Sequence, residues 1–464
     1  MTSSPRPIAT PDSPRRVKLD QALRAFARAL LHTYFREIEV VGIERFPKSA
    51  PAIVVGNHFN SLIDGVLLTA FLPRTPRLIA SSSVWDNRML RPLLTLGGVI
   101  PIVRRQDAGH EKHANTATFA RAAAYLQRGG VLALFPEGVS HSAPALQPMK
   151  SGAARIALSA AGHENIDDVC VVPVGLIFDE KSRFRSRALV EVGDPLPVDR
   201  PPGDVKPATV RALTDRISNA LDALTPGYES WEEAYAVAQA TTIWVQQSVA
   251  APSGEVSLAD QSARMRAFRD GYHRLRARDA NRAASIRRDI EAYLESMQSA
   301  GVRDADVDTD RTRGQSLFRN LLGVLIRMPL AAPGLVLNAP PFWLTVAIGR
   351  RQSLDKRATF SLFHAIWAFP LFWIVLSGAG ARLAGLLGGP PGWAALGILG
   401  LSIIGGATAL GVIDNWRDAR SILRAQRWQR RHPDQVRTLR EVRGKLVQRL
   451  KVLVAEDARS SNNG

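Results

Sequence analysis

Short apolar runs separated by stretches of helical spacing organise the first half of the chain. Continuous apolar runs fall at residues 52–56, 77–80, 99–103, 131–135, 169–175 and 188–192. Runs of this length, bounded by Gly, Pro or polar turns, are what strands buried on both faces look like. Between them, residues 63–71, 114–128 and 152–161 carry apolar side chains at helical spacing. The alternation predicts an α/β domain with a mostly parallel sheet flanked by helices. It should close near Thr225-Pro226-Gly227. Residues 17–35 also read as a helix, through Leu19, Leu23, Phe26, Leu30, Leu31 and Tyr34, with Arg24, Arg28 and Arg36 around them. Such a helix either lies on a membrane surface or packs as an ordinary amphipathic element.

The pattern changes after residue 227. Residues 228–310 are charged and helical: Arg264, Arg266, Arg269, Arg274 and Arg276 are partly offset by Asp270, Asp279, Asp289 and Glu291. They read as solvated helices packing on the α/β domain. Residues 360–378 and 393–413 are almost wholly apolar, each close to the roughly 20 residues a membrane-spanning helix needs. Gly388-Gly389-Pro390-Pro391-Gly392 is the turn between them. Arg350, Arg351, Lys356 and Arg357 precede the first span, and Arg417, Arg420, Arg424 and Arg427 follow the second. Both flanks therefore belong on the cytoplasmic side. Residues 317–348 are apolar too, but hold Arg319, Arg327, Pro329, Pro333, Pro340 and Pro341. A broken or re-entrant pair of helices fits that stretch better than a straight span. The expected plan is a disordered tail at 1–16, the α/β domain at 17–227, a helical insert at 228–310, a membrane region at 311–416 and a basic cytoplasmic tail at 417–464.

Charge narrows the partners. A net charge of +18 over 464 residues suits nucleic acid or an anionic membrane surface. The aromatic residues sit mostly in the apolar C-terminal region rather than among the arginines. That argues against nucleic acid, which wants stacking rings within a basic groove. The single cysteine, Cys170, excludes a disulfide framework within the chain and gives no metal cluster. The Pro-, Ser- and Arg-rich N-terminus lacks the apolar core of a signal peptide. The composition favours a bacterial inner membrane, with the α/β domain on its cytoplasmic side.

The candidate chemistry sits where strands end. Asn57-His58-Phe59-Asn60-Ser61-Leu62-Ile63-Asp64 follows the run at 52–56, and Pro136-Glu137-Gly138 follows the run at 131–135. Open α/β sheets gather their chemistry at such corners. A hydroxyl nucleophile needs one group to take its proton and another to orient that group, and His58 with Asp64 supplies both. On a regular helix their spacing does not align them at about 100° per residue, so His58 must precede the helix. Asn57 and Asn60 are candidates for further orienting bonds. Arg104 stands at the end of a strand, where it can meet a phosphate. Lys150 follows the second corner, Pro173 interrupts an apolar strand, and Arg183-Phe184-Arg185 precedes the last one. His110 and His113 have no accompanying carboxylate or cysteine set, so no metal site is expected.

In this order and spacing the His58 block, the Arg104 block, the Glu137 corner, the Pro173 strand and the Arg183 block resemble the glycerolipid acyltransferase family. The resemblance covers roughly residues 17–226. The Arg183 block with Val190-Glu191-Val192-Gly193-Asp194-Pro195 looks most like the fungal-type glycerol-3-phosphate/dihydroxyacetone-phosphate acyltransferase branch. Two departures stand out: five residues separate His58 from Asp64 where four are common, and Val139-Ser140-His141-Ser142 replaces the usual Thr-Arg continuation.

The resemblance implies acyl transfer from an acyl thioester to a glycerol phosphate hydroxyl. The donor is acyl-CoA or acyl carrier protein as co-substrate, and no cofactor or metal is expected. His58 would be the general base and Asp64 would stabilise its imidazolium. Groups near Gly138 would stabilise the oxyanion, and Arg104, with Lys150, Arg183 and Arg185 behind it, would hold the acceptor's phosphate. Glu137 either binds an acceptor hydroxyl or fixes its corner. Asn57, Asn60, Pro136 and Pro173 shape the site. Glycerol-3-phosphate or dihydroxyacetone phosphate is the favoured acceptor. Lysophosphatidic acid, or a non-catalytic membrane scaffold, is the alternative.

Overall fold

A computed structural model describes residues 13–88, 90–103, 116–163, 166, 168–228, 230–248, 256–307 and 312–462. The chain divides into two compact units, Met1–Thr225 with Ser353–Thr359, and Pro226–Gln352 with Phe360–Gly464.

The first unit is built on one sheet. Its strands are β1 (Glu37–Val41), β2 (Ala52–Gly56), β3 (Arg77–Ser81), β4 (Ile100–Ile102), β5 (Val131–Leu134), β6 (Cys170–Phe178), β7 (Arg187–Val192) and β8 (Leu196–Pro197). They lie in the order β1-β7-β6-β2-β5-β3-β4, with β8 paired to β6. Each apolar run expected to be a strand is one. β2 has every residue buried, as a central parallel strand requires. Strand β6 changes partners along its length. Cys170–Val174 runs parallel to β2, and Val174–Phe178 runs antiparallel to β7. The sheet is therefore mostly parallel, with β7 reversed and β1 parallel to β7.

The helices of this unit are α1 (Pro14–Tyr34), α2 (Leu62–Phe71), α3 (Arg91–Gly97), α4 (Thr116–Leu126), α5 (Gly152–Ala161) and α6 (Pro207–Leu224). Ile53, Val55, Leu132 and Val171 pack with Leu126, Ile156, Ala157, Ile217 and Leu221 into the main core. Each of these Val, Leu and Ile side chains contributes about 1.5–3 kcal/mol by leaving water.

The expected tail at 1–16 gives way to helix sooner than its prolines suggest. Residues 1–12 lie outside the described residues, but Ser13 is the N-cap of α1, its Oγ accepting from the Arg16 N–H at 3.2 Å. Pro14 occupies the first turn, where a missing N–H costs nothing. The arginines of α1 hold the carbonyls at the end of α2: Arg28 donates to Ala70 O at 2.8 Å, and Arg24 to Leu72 O and Pro73 O. Ala27, Leu31 and Tyr34 are buried, so this helix packs within the unit.

The second unit is helical: α7 (Trp231–Ser248), α8 (Leu258–Arg278), α9 (Ala280–Ser299), α10 (Asp304–Val307), α11 (Thr312–Arg350), α12 (Leu354–Leu386), α13 (Pro391–Arg431) and α14 (Pro433–Asn462). The stretch read as a basic tail at 417–464 instead completes α13 and forms α14. Leu439, Leu446, Val447 and Leu450 recur at helical spacing among the arginines and close a core with Ile286, Ile290, Tyr293 and Leu294. Arg443 is buried against Asp304, with bonds of 2.9 and 3.2 Å, and Tyr293 OH donates to the same carboxylate at 2.6 Å.

Three helices, Gly314–Arg350, Leu354–Leu386 and Pro391–Arg431, are long and apolar enough to cross a membrane. Residues 360–378 and 393–413 lie within the last two. α11 and α13 run antiparallel. A Cβ on Gly323 would meet Asn415, and one on Gly334 would lie 2.1 Å from the Gly405 carbonyl carbon. Asn338 Nδ2 donates to Ser402 O at 2.9 Å, and Trp373 Nε1 donates to Asn338 Oδ1 at 2.8 Å. α12 is also antiparallel to α13, with Gly380 against Ile398. Residues 323–338 and 373–380 therefore point the same way. The chain between them must double back, and Pro340-Pro341 lies in that stretch, within α11. Neighbouring helices satisfy the backbone groups that such prolines free.

Candidate active site

The segment after β2 is held open by side chains that substitute for sheet partners. Asn57 Nδ2 donates to Leu176 O at 2.8 Å, and the Leu176 N–H donates to Asn57 Oδ1 at 2.7 Å. Asn57 thereby extends the β2–β6 pairing by one side chain while the backbone leaves the sheet. Ser61 then takes a left-handed conformation, with φ of 52°. Its N–H is received by Ser140 Oγ at 3.0 Å. This turn brings two residues six apart into contact. His58 Nδ1 lies 2.9 Å from Asp64 Oδ2, which also accepts the Asn60 N–H at 2.8 Å. With Nδ1–H donating to the carboxylate, Nε2 carries the lone pair. The His58 side chain is 19% exposed and Asp64 is fully buried, so the imidazole reaches solvent and its orienter does not.

Burial raises the Asp64 carboxyl above the ordinary range, opposed by the His58 hydrogen bond and charge, the Asn60 N–H and Lys181. Among the described residues, Asp64 Oδ1 has no hydrogen-bond partner, which leaves the desolvation uncompensated on that side.

Glu137 has both carboxylate oxygens engaged within the protein. Its Oε1 accepts the His58 N–H at 2.7 Å, and its Oε2 accepts the Gln147 N–H at 2.7 Å and the His141 Nε2–H. At 1% exposed, it ties the second corner to the first and presents no oxygen outward. The Ala143 N–H donates to His141 Nδ1 at 3.1 Å, which sets the His141 tautomer.

The other expected residues separate. The Gly138 N–H closes the corner on Phe135 O at 2.9 Å, so that donor is committed to the turn. Gly138 has φ of 72°, and Lys150 Nζ lies where a Cβ would approach within 2.5 Å. Lys150 is thus an exposed cation over the corner, its N–H received by Pro136 O at 2.8 Å. Arg185 does not reach toward a phosphate. It is buried and donates to His32 O, Thr33 O and Phe35 O at 2.6, 3.3 and 3.0 Å, capping the end of α1. Its own φ is 61°. Arg183 is exposed and bonded to Glu180. Pro173 sits opposite Val55 in the sheet, and its carbonyl accepts the Gly193 N–H at 2.9 Å. Arg104, His110 and His113 lie outside the described residues.

Two contributors gave no sequence signal. Lys181, in the polar turn after β6, donates to Phe59 O, His141 O and Ser142 Oγ. Thr359 lies in the short piece of α12 that belongs to the first unit, and its hydroxyl donates to Asn60 O at 3.1 Å. Nothing local marks either residue, because each acts across a large sequence separation.

Residues 37–177 match the family model described as Acyltransferase. The chain is 28% identical over 291 residues to glycerol-3-phosphate O-acyltransferase 2 of Saccharomyces cerevisiae, covering 58% of this chain and 38% of that protein. Glycerol-3-phosphate O-acyltransferase 1 of the same yeast is 27% identical over 288 residues, covering 56% of this chain and 37% of that protein. The 1-acyl-sn-glycerol-3-phosphate acyltransferase alpha of Bos taurus is 28% identical over 214 residues, 45% of this chain and 69% of that protein. The chain thus spans well under half the length of the two yeast relatives. Residues 37–177 are an acyltransferase domain of the glycerolipid acyltransferase kind.

Proposed function

We propose that this chain is a membrane-bound O-acyltransferase that moves a fatty acyl group from an acyl thioester to a glycerol phosphate hydroxyl in phospholipid synthesis. The observation that carries the reading is the His58–Asp64 pair, bonded at 2.9 Å with the imidazole reaching solvent. His58 Nε2 takes the acceptor's hydroxyl proton as the oxygen attacks the thioester carbonyl. The C–O bond forms, the C–S bond breaks, and the departing thiolate takes the proton back from His58. General base catalysis of this kind gives on the order of 10²–10⁴-fold. Asp64 stabilises the imidazolium. To the anionic substrate oxygens we assign Lys150, the exposed cation over Gly138, and Arg183, and to the acceptor's phosphate Arg104.

Glycerol-3-phosphate or dihydroxyacetone phosphate is the favoured acceptor, supported by similarity to the two yeast proteins. Lysophosphatidic acid is the second reading, supported by the mammalian match. The donor is acyl-CoA or acyl carrier protein, and the scheme draws on no cofactor. The location we propose is a bacterial inner membrane rich in anionic lipid, with the α/β unit on the cytoplasmic side. The antiparallel pairing of α11 with α13 supports one common side for Thr312 and the arginines after Trp416.

The test is acyl transfer by detergent-solubilised protein, wild type beside His58→Ala, with the three acceptors offered separately and each donor in turn. Transfer that depends on His58 supports the enzyme, and the preferred acceptor names the step. No transfer with any pair would favour a non-catalytic lipid-binding scaffold.

A further inference from the structure

The turn between β6 and β7 sets a single lysine against the site. Lys181 Nζ donates to Phe59 O at 2.9 Å, His141 O at 3.0 Å and Ser142 Oγ at 2.7 Å. An ammonium has three N–H donors, so all are used, and they are used on the two segments that carry His58 and Glu137. The carbonyl of the same lysine accepts from Asn60 Nδ2 at 3.1 Å, and the Asn60 N–H donates to Asp64. Lys181 therefore holds the residues on both sides of the His58–Asp64 contact.

Charge accompanies the grip. Lys181 is one of the groups that oppose the effect of burial on Asp64. Its own ammonium is pushed down by burial and supported by Asp355 and Asp64. Asp355, in the first turn of α12, is buried and part of the same unit. The charged groups facing the pair are thus Lys181 and, beyond it, Asp355. Glu137 and His141 are bonded to each other beside them.

We propose that Lys181 is a positioning residue. It clamps the two site segments together and holds a cation against Asp64, so that the His58–Asp64 contact keeps the geometry the turn sets. The role in catalysis rests on the acyl-transfer reading, whereas the clamp does not need it.

The experiment reads the His58–Asp64 contact directly in the full-length protein in detergent. Isotope-labelled histidine is followed by NMR, with His58→Ala to assign the signal. The His58 Nδ1–H held by Asp64 should give a downfield proton resonance in wild type, and Lys181→Gln should broaden it or move it upfield. Lys181→Gln should also lower kcat about tenfold with KM for the acceptor nearly unchanged. Lys181→Arg keeps the charge but should lower kcat similarly, because a planar fork does not match three converging acceptors. An unmoved resonance in folded Lys181→Gln overturns the proposal. Should that variant fail to fold, Ser142→Ala carries the test, since it removes one of the three acceptors, and an unmoved resonance there overturns the proposal equally. A moved resonance in protein that transfers no acyl group supports the clamp and counts against the enzyme reading alone.

Discussion

The imidazole of His58 lies flat against the ring of Phe135, with centroids 4.2 Å apart and planes 7° from parallel. Asp64 fixes which nitrogen points inward, and Phe135 fixes the tilt of the ring. Phe135→Leu keeps the apolar volume and removes the stack. It should lower kcat about tenfold and leave KM for the acceptor unchanged in steady-state kinetics. An unaltered kcat would show that the stack has no part in the reaction.

Asp64 separates activity from stability. Its folded pKa is raised by burial, so between its unfolded and folded values the native state holds more protons than the unfolded state. Stability contributed at this site therefore falls as pH rises through that window, and the deficit is complete above the folded value. Asp64→Asn should raise Tm at pH 7 relative to wild type, with the advantage fading as pH falls through the raised folded value and gone below about 4. The same variant should lose on the order of 10²–10⁴-fold in kcat, because the imidazolium loses its anion. Thermal melts across pH beside kinetics decide it, and a Tm lowered at pH 7 would contradict the sign.

Arg183 and Arg185, two residues apart, should fail in opposite ways. Arg185→Ala strips three carbonyls at the end of α1 of a charged donor. It should cost about 1.5–3 kcal/mol, read as a lower Tm, with KM nearly unchanged in the protein that folds. Arg183→Ala removes an exposed side chain and should leave Tm alone while raising KM for a phosphorylated acceptor. Identical profiles for the two variants would refute the division.

Helices α11 and α13 meet at two glycines. A Cβ on Gly405 would lie 2.9 Å from Gly334 Cα. Backbone on backbone leaves nothing to give way, as small-residue contacts between membrane helices require. Gly405→Val should lower thermal stability in detergent, whereas Gly400→Val, at a site with open space, should not. Equal melting of the two variants would rule out a close contact.

The α/β unit was legible because its central strands are continuous apolar runs, such as Ile53-Val54-Val55, bounded by polar corners. β1 escaped notice. Glu37-Ile38-Glu39-Val40-Val41 is short, alternates, and follows a strong helix without a Gly or Pro to separate them. α14 was hidden by its arginines, which mask an apolar stripe that burial reveals. At the site, His58 and Asp64 stood out because their spacing demanded a turn. Arg185 misled, because a guanidinium bound for phosphate and one bound for the carbonyls ending α1 look alike in sequence. Lys181 had no local signal, since its acceptors at Phe59 and His141 lie far away along the chain.

The Thr359 hydroxyl on Asn60 O has a consequence for synthesis. The last contiguous residue of the first unit is Thr225, and Thr359 follows 359 − 225 = 134 residues later. At roughly 5–20 residues per second, the ribosome needs roughly 7–27 s to make that stretch. During this interval the sheet and its own helices are complete, but the Asn60 carbonyl has the Ile63 N–H at 3.2 Å and lacks its Thr359 donor. The segment beside His58 is therefore finished only after α11 has been made and α12 has begun, so assembly of the site is timed by translation of the apolar helices.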